Sequence, residues 1–391
     1  MAKITGGRAM KPLNQPALRF AGFADAWEQR KLGEIVTKQI KGKAQLENLQ
    51  HGSVEYLDAS RLNGGNVLLS NGIQNVLQDD ILILWDGSKA GTVYTGFTGV
   101  LGSTLKAYQV GSNSQFVYQF LKYNQDNIYA NYRTPNIPHV QKDFLDVFEI
   151  SLPLDQEQAV IGNFFRQLDE AIAAHQRKLE KIKELKNSLL HKMFPKDGET
   201  VPELRLSGFT DAWEQRKLGE LGSVAMNKRI FKEQTTTIGD VPFYKIGTFG
   251  GIADAYISRE LFEEYRNKYP YPEKGDILLS ASGSIGKAVE YQGNDEYFQD
   301  SNIVWLKHNN LNNSFLKYFY SIVKWEGIEG STIKRLYNDN ILKTKILLPS
   351  LQEQTAIGNF FRQLDTVIEA YQQKSNQLHT LKTALLGKMF V

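Results

Sequence analysis

Two stretches of the chain place residues of a mainly apolar stripe at alternating intervals of four and three positions. The first stretch runs from Ile161 to Leu189 and the second from Ile357 to Leu385. This 3.5-residue repeat is typical of a coiled coil, so each stretch predicts one long helix. Roughly 36 residues at about 1.5 Å each give a helix of about 55 Å. The residues expected to pair the helices are Ile161, Phe165, Leu168, Ile172, Leu179, Ile182, Leu189, Ile357, Phe361, Leu364, Ile368, Leu378 and Leu385.

A helix with an apolar stripe of this length needs a partner helix, and the second stretch of the same chain supplies one. The first helix carries the chain from one block to the next, and the second must return for the repeat to close symmetrically. We therefore expect an antiparallel pair. His175 and Tyr371 interrupt the stripe and are expected to pack there. Lys186 and Lys382 are expected to extend their ammonium groups out of the seam.

Short β-like runs fill the two blocks that precede the helices. Both blocks are rich in turn-forming residues, and each closes on Leu-Pro, which separates a strand from a helix. One helix is expected in each block, over 115–129 and 313–324. Strands are expected at 54–57, 81–85, 92–94 and 148–152, and at 276–279, 288–291, 303–306 and 346–348. The predicted fold class is α+β, with two mixed α/β domains separated by a long antiparallel two-helix coiled coil.

The chain also contains parts of its own sequence twice. Residues 23–34 read FADAWEQRKLGE and residues 209–220 read FTDAWEQRKLGE. Residues 152–169 read LPLDQEQAVIGNFFRQLD and residues 348–365 read LPSLQEQTAIGNFFRQLD. The ends of each unit are nearly identical while the interiors differ, which indicates a pseudo-twofold scaffold that carries two different readers. Each DAW motif is expected to form an amphipathic turn whose tryptophan docks on the helices or on a domain core.

These patterns divide the chain into six segments. The expected boundaries are an irregular leader over 1–17, a mixed domain over 18–152, a long helix over 153–195, a linker over 196–203, a second mixed domain over 204–348 and a second long helix over 349–391.

Composition excludes several classes of protein. The 391 residues are 41% hydrophobic and 23% charged, with a net charge of +3, as in ordinary soluble proteins. There is no cysteine, so disulfides, thiolate metal sites and cysteine nucleophiles are excluded, and the six histidines lack ligand-like spacing. No apolar run of about 18 residues and no secretory signal occur, so a cytoplasmic protein without a membrane partner is expected.

One string imitates a phosphate-binding loop but lacks its essential residues. Residues 280–288 read SASGSIGKA, with Ala281 where that motif needs glycine and Ala288 where it needs Ser or Thr. The chain also has no amine clamp of a DNA methyltransferase and no acidic cluster of a metal-dependent nuclease. We therefore expect no catalytic residues and no metal site.

Two kinds of segment are candidates for DNA contact. The turns at 85–91 (WDGSKAG) and 280–287 could present backbone N–H groups and ammonium to phosphates, and the segments at 131–136 and 330–338 interleave polar, aromatic and basic residues. Arginine and asparagine can read guanine and adenine edges. Plain structural turns and solvated loops remain the alternatives. The candidate DNA-binding residues are Ser88, Lys89, Asn131, Tyr132, Arg133, Thr134, Asn136, Ser282, Ser284, Lys287, Ser331, Thr332, Lys334, Arg335 and Asn338.

In combination these motifs resemble the DNA-specificity subunit of type I restriction-modification systems. The features that carry the resemblance are the paired GF-x-DAWEQRKLGE openings, the paired LP-x3-EQ-x2-IGNFF-x2-LD helix starts, the KMF helix ends at 192–194 and 388–390, and GDILLSASGSIGK at 275–287. The likeness extends from about residue 18 onward. The first block departs from it, with WDGSKAG in place of SASGSIG, so its turn is expected to contact DNA differently.

The resemblance implies that each block is a target recognition domain that reads half of a split, asymmetric sequence in double-stranded DNA. The helices would fix the distance between the halves. It also implies a non-catalytic subunit that assembles with two methyltransferase subunits and two restriction/translocase subunits. Those partners would bind S-adenosylmethionine, ATP and Mg²⁺, leaving no cofactor on this chain. A two-domain coiled-coil adaptor without DNA specificity and a stand-alone enzyme are the competing hypotheses.

Overall fold

The computed structural model describes residues 15–136, 138–308, 310–328 and 334–390. The chain folds into two compact units. Unit 1 is formed by Met1–Gln176 with Gln373–Val391, and unit 2 by Arg177–Gln372. Each unit therefore combines one mixed domain with parts of both long helices. The first fourteen residues of the expected leader lie outside the described residues.

Unit 1 is built on three small sheets. The first sheet pairs Glu28–Lys31 with Glu149–Leu152. The second has four strands, which lie side by side in the order Val36–Lys41, Leu105–Val110, Ile81–Leu84 and Val93–Tyr94. The third has three strands, in the order Leu69–Ser70, Val54–Leu57 and Val100–Leu101. All neighbouring strands are antiparallel except the pair in which Tyr56 lies opposite Val100.

Unit 2 repeats this arrangement. Its three sheets are a pair of Glu214–Lys217 and Lys345–Leu348, a four-stranded sheet of Gly222–Met226, Ile303–His308, Ile277–Ser280 and Ala288–Glu290, and a three-stranded sheet of Ala255–Ile257, Val241–Tyr244 and Phe298–Gln299. The parallel pair occurs at the same place, with Phe243 opposite Phe298. The same topology in both units confirms the internal repeat, although the sequences of these blocks differ.

Three helices of each unit hold the same places between the strands, and the others differ. Unit 1 contains Leu32–Ile35, Ala59–Leu62, Ser114–Tyr123, Gln125–Asn131 and Phe144–Val147, with a 3-10 turn at Leu46–Asn48. Unit 2 contains Leu218–Leu221, Arg259–Lys268, Asn313–Ile322 and Asn338–Lys343, with a 3-10 turn at Lys232–Gln234. The two long helices are Asp155–Met193 and Leu351–Met389. No helix in the described part of the chain is long and apolar enough to cross a membrane.

The predicted helix over 115–129 is wrong in its continuity. The chain forms Ser114–Tyr123, leaves the helix at Asn124, and forms Gln125–Asn131. The Asn124 side chain donates through Nδ2 to Phe120 O at 3.0 Å. Asparagine side chains compete with the helical backbone for such bonds, which accounts for a break at this residue.

The DAW motifs also differ from the expected turn. The EQRK residues that follow each tryptophan form an edge strand, paired with the strand that leads into Leu-Pro. The tryptophans themselves are buried, each 2% exposed. Trp27 packs edge-on against Phe116, and Trp213 packs edge-on against Phe315, with ring centroids 5.6 and 5.8 Å apart. Both tryptophans therefore dock in a domain core.

Segments of both long helices meet within each unit and run antiparallel there. In unit 1, Phe165 stacks on Phe390 at 5.8 Å, and Lys382 Nζ lies 2.6 Å from Asp169 Oδ1. Residue numbers rise on one helix as they fall on the other, which confirms the predicted antiparallel pairing.

Unit 2 shows the same direction. Lys178 Nζ lies 5.1 Å from the centroid of the Tyr371 ring, and Lys186 forms an ion pair with Asp365. The expectation that Lys186 and Lys382 extend away from the seam is therefore wrong. A carboxylate within reach offers each ammonium an ion pair, which an apolar seam could not provide.

The thirteen residues expected to pair the helices all lie on faces that are removed from solvent to some degree. Ile161, Phe165, Ile172, Leu179, Ile357 and Phe361 are buried, and Leu168, Ile182, Leu189, Leu364, Ile368, Leu378 and Leu385 are partly buried. His175 and Tyr371 are partly buried as well.

A buried ion pair anchors the segment before each DAW motif to the start of a long helix. Arg19 donates through Nε and Nη2 to the two carboxylate oxygens of Glu157, both at 2.7 Å. Arg205 forms the same two bonds with Glu353, at 2.8 and 2.7 Å. Both glutamates are at most 1% exposed. The planar guanidinium matches the carboxylate with two parallel bonds.

Replacing Arg19 or Arg205 with lysine is expected to lower the free energy of unfolding by about 1–2 kcal/mol. Lysine keeps the charge but cannot form two parallel bonds to the buried carboxylate. Urea denaturation measures the change, and Arg177→Lys at an exposed position of the first long helix is the matched control. Losses below about 0.5 kcal/mol, the range of ordinary surface substitutions, would contradict this role.

Candidate nucleic-acid interface

A turn with a glycine at its end leaves the four-stranded sheet of each unit. We call residues 85–91 and 281–287 the glycine turns. In unit 1 the turn closes where Gly91 N–H donates to Leu84 O at 2.7 Å, and in unit 2 where Gly286 N–H donates to Ser280 O at 3.0 Å. Gly91 and Gly286 have φ of 92° and 89°, which side chains other than glycine rarely adopt. The strands before the turns are buried, so the sheet holds each turn in place.

A second segment returns to each glycine turn through the backbone. We call residues 131–136 with 138–140, and residues 334–338, the return loops. In unit 1, Gly87 N–H donates to Pro138 O at 3.0 Å, and Val140 N–H donates to Trp85 O at 2.9 Å.

The same two bonds recur in unit 2. Gly283 N–H donates to Lys334 O at 3.4 Å, and Leu336 N–H donates to Ala281 O at 2.8 Å. The two kinds of segment singled out in the sequence therefore lie together in each unit. A glycine turn and its return loop are called a turn–loop surface below.

Backbone pairing shows which residues of the two surfaces correspond. Asp86 pairs with His139 in unit 1, and Ser282 pairs with Arg335 in unit 2. His139 is therefore the counterpart of Arg335, and Arg133 is not. His139 was missed as a candidate. The signal was present, because His139 and Arg335 lie equally far before Pro153 and Pro349.

The candidates of unit 1 fall into exposed and locally engaged groups. Ser88, Lys89, Asn131 and Asn136 are exposed. Arg133 donates through Nε to Tyr129 O at 3.0 Å and through Nη1 to Ser88 O at 3.1 Å. Its guanidinium carbon also lies 4.9 Å from the Tyr129 ring centroid. Arg133 therefore ties the return loop to the glycine turn.

Two further candidates of unit 1 are engaged inside the domain. The Tyr132 ring packs edge-on against Phe144 and Phe148, with centroids 5.5 and 5.2 Å apart. The expectation of base contact does not suit Tyr132, because its ring belongs to the margin of the core. Thr134 Oγ1 lies 3.0 Å from His139 Nδ1, so the hydroxyl shapes the return loop.

In unit 2, Ser284, Lys287, Lys334 and Arg335 are exposed. Lys287 donates to Phe249 O, so its ammonium also braces the turn against a neighbouring segment. Of the remaining four candidates, Ser331 and Thr332 lie outside the described residues. Ser282 is only 7% exposed, which does not suit the direct contact expected of it, and Asn338 is half-buried at the start of Asn338–Lys343.

A lysine that the sequence did not single out lies beside the first glycine turn. Lys106 Nζ sits 3.1 Å from the centroid of the Trp85 ring, and Lys41 lies opposite Lys106 on the next strand. Burial lowers the pKa of Lys106, and repulsion from Lys41 lowers it further. Lys106, Lys89 and Arg133 therefore place three cationic groups at the first turn.

The turn–loop surfaces carry groups that suit contact with DNA. Apart from the carboxylate of Asp86, their exposed polar groups are hydroxyl, amide, ammonium and guanidinium groups, which bind phosphate oxygens and the edges of bases. Among the described residues, no group of three or more His, Asp or Glu side chains could hold a metal ion. The same backbone frame thus presents Pro138 and His139 in one unit, and Lys334 and Arg335 in the other.

Comparisons with known proteins point to one family. The model of the "Type I restriction modification DNA specificity domain" matches residues 24–184 and again residues 210–380. A putative type I restriction enzyme specificity subunit of Haemophilus influenzae is 55% identical over 153 residues, which are 39% of this chain and 40% of that protein. The MjaVIII specificity subunit of Methanocaldococcus jannaschii is 27% identical over 92% of this chain and 91% of its own length.

Solved structures with the same fold come from the same kind of system. The S subunit of a type I restriction-modification system from M. genitalium has a TM-score of 0.68 at 20% identity, covering 96% of this chain and 99% of that one. A chain from a study of complex assembly and conformational transition of the type I R-M system has a TM-score of 0.52 at 15% identity, covering 93% and 97%. These likenesses confirm the α+β fold with paired helices.

The family model covers both repeats and most of the chain, and it confirms the resemblance carried by the repeated motifs. The protein belongs to the family of type I restriction-modification specificity subunits, and its role is DNA recognition.

Proposed function

We propose that each unit reads one half of a two-part, asymmetric DNA sequence through its turn–loop surface. Residues 18–152 and 204–348 serve as the two target recognition domains, 153–195 and 349–391 as the helices that set the gap, and 196–203 as the linker. The observation that carries this proposal is the shared backbone frame with different residues at corresponding places, His139 in one unit and Arg335 in the other. Two unlike readers on equivalent frames fit an asymmetric site.

The chain acts without an active site of its own. In this proposal it binds double-stranded DNA and scaffolds two methyltransferase subunits and two restriction/translocase subunits. Those subunits bind S-adenosylmethionine, ATP and Mg²⁺ and carry out adenine methylation and cleavage. The chain contributes affinity through phosphate contacts, which weaken with salt, and sequence choice through contacts with base edges.

Methylation mapping tests this proposal. A host that lacks restriction systems would carry this gene together with its methyltransferase gene, and the methylated adenines of its genome would be sequenced. We expect one new motif made of two defined halves around a gap of unspecified bases, absent when this gene is deleted. A continuous motif, or methylation that persists without this gene, would refute the proposal.

A further inference from the structure

One aspartate in unit 1 joins its mixed domain to both long helices. Asp169 lies on the first long helix and accepts a hydrogen bond at Oδ2 from Gln119 Nε2, at 2.7 Å. At Oδ1 it accepts from Lys382 Nζ, at 2.6 Å. Gln119 belongs to the domain helix Ser114–Tyr123, and Lys382 belongs to the second long helix. The two oxygens of one carboxylate are thus shared between two different elements.

Unit 2 repeats this junction with a different donor. Asp365 accepts a hydrogen bond at Oδ2 from Tyr318 Oη, at 2.8 Å, and at Oδ1 from Lys186 Nζ. Tyr318 lies on Asn313–Ile322, the counterpart of the domain helix of unit 1.

Gln119 and Tyr318 hold the same position on their helices. Asn113 and Asn312 cap these helices, each accepting a bond 3.0 Å long from the N–H three residues on. Counted from these caps, Gln119 and Tyr318 coincide. The junction is therefore present twice although the domain residue has changed, which favours a role for the bond itself.

The junctions are sheltered enough for these bonds to fix a direction. The side chains of Asp169 and Lys382 are 35% and 15% exposed, and those of Asp365 and Lys186 are 25% and 22% exposed. Burial and the neighbouring Asp365 raise the pKa of Tyr318, so its hydroxyl keeps its proton and remains a donor. Hydrogen bonds to a charged group are short and directional, and so they resist a change of angle.

A small change of angle at such a junction matters because the helices are long. The 39 residues of Asp155–Met193 span roughly 58 Å at about 1.5 Å per residue. Asp169 lies 24 residues, or about 36 Å, before Met193, so a tilt of about 5–6° at the junction displaces that end of the helix by about 3.4 Å, the rise of one base pair. One base pair also turns the duplex by about 35°, since a turn holds about 10–10.5 base pairs.

We propose that Asp169 and Asp365 are positioning residues that set the angle of each recognition domain and thereby restrict the complex to one gap length between the two half-sites. This inference rests on the proposed function and assigns to two residues the choice of gap. The carboxylates touch no DNA in this account. They act by holding the domain helix and the opposite long helix in one relative orientation.

The test uses the complex of the full chain with its methyltransferase subunits. Methylation rates are measured on duplexes with the natural gap and with gaps one base pair shorter or longer. Asp365→Asn removes the charge, and Tyr318→Phe removes only the hydroxyl while keeping the ring that packs on Phe361. For Asp365→Asn, we expect the ratio of methylation at altered gaps to that at the natural gap to rise about tenfold. Tyr318→Phe should raise it in the same direction.

A charge reversal and a surface pair serve as controls. Asp365→Lys combined with Lys186→Asp re-forms the ion pair, and the Tyr318 hydroxyl can accept from the new ammonium, so gap discrimination should return. Lys183→Ala breaks the exposed ion pair with Glu180 on the first long helix, and it should leave the ratio unchanged. An unchanged ratio in Tyr318→Phe, or an equal loss of methylation at every gap in Asp365→Asn, would overturn the inference. A wild-type complex that methylates no two-part site would overturn the proposed function as well.

Discussion

Substituting Phe390 with alanine is expected to lower the free energy of unfolding of unit 1 by about 3–5 kcal/mol, the range for truncation of a buried aromatic. Phe390 is 4% exposed, although it is the second residue from the end of the chain. Its ring centroid lies 5.3 Å from that of Phe116, 5.7 Å from that of Phe120 and 5.8 Å from that of Phe165. The end of the second long helix thus completes the core of the first domain.

Phe194→Ala is the matched variant for unit 2. Phe194 closes the first long helix and stacks on Phe315 at 5.2 Å, with Trp213 at 5.9 Å. Amide hydrogen exchange distinguishes the two units, because each variant should accelerate exchange mainly in its own unit. A loss below about 1 kcal/mol for Phe390→Ala, well under the range for buried aromatics, would contradict this packing. So would faster exchange confined to unit 2.

Arg335→Ala is expected to relax sequence choice in only one half of the DNA site. An arginine that contacts a guanine edge contributes about 1–3 kcal/mol of discrimination against the wrong base. Arg335 is exposed at the pairing point of the second turn–loop surface. Competition binding with single-base variants of the recognised sequence would measure the loss position by position.

His139→Ala in unit 1 is the natural control, because His139 occupies the corresponding place. It should alter the other half of the site and leave the Arg335 half unchanged. Lys334→Ala should weaken binding to all sequences alike and reduce the salt slope by about 1, as expected of a phosphate contact. Changes in the same half for Arg335→Ala and His139→Ala would rule out the division of labour between the units.

The sequence predicted the long helices well because their signal is local and periodic. Stripe positions from Ile161 to Leu189 alternate between intervals of four and three residues, and this spacing is typical of a coiled-coil helix. The short strand Glu28–Lys31 has no such signal, since all four of its residues are polar or charged. It becomes a strand only because Glu149–Leu152, far away in the chain, offers a partner for its backbone. Propensity cannot reveal pairing of this kind.

The candidate site was only partly predictable for a similar reason. Lys89 and Arg335 are exposed as expected, because charged residues in turns seldom bury. The packing of Tyr132 was out of reach, since a tyrosine in a polar segment can stack on a base or pack against Phe144, and only the fold reveals the second contact. The bond between Asp169 and Lys382 was also out of reach, because the spacing of a stripe does not fix which residues of two antiparallel helices lie opposite each other.

Binding of the methyltransferase-associated complex to four duplexes tests the central claim most directly. One duplex carries the intact two-part sequence, two carry either half scrambled, and the fourth has new bases in the gap at unchanged length. We expect either scrambled half to weaken binding by about 10³-fold or more, towards the non-specific level, and the new gap bases to have no effect. If scrambling one half left the affinity unchanged, or if all four duplexes bound alike, the chain would not be a reader of two half-sites.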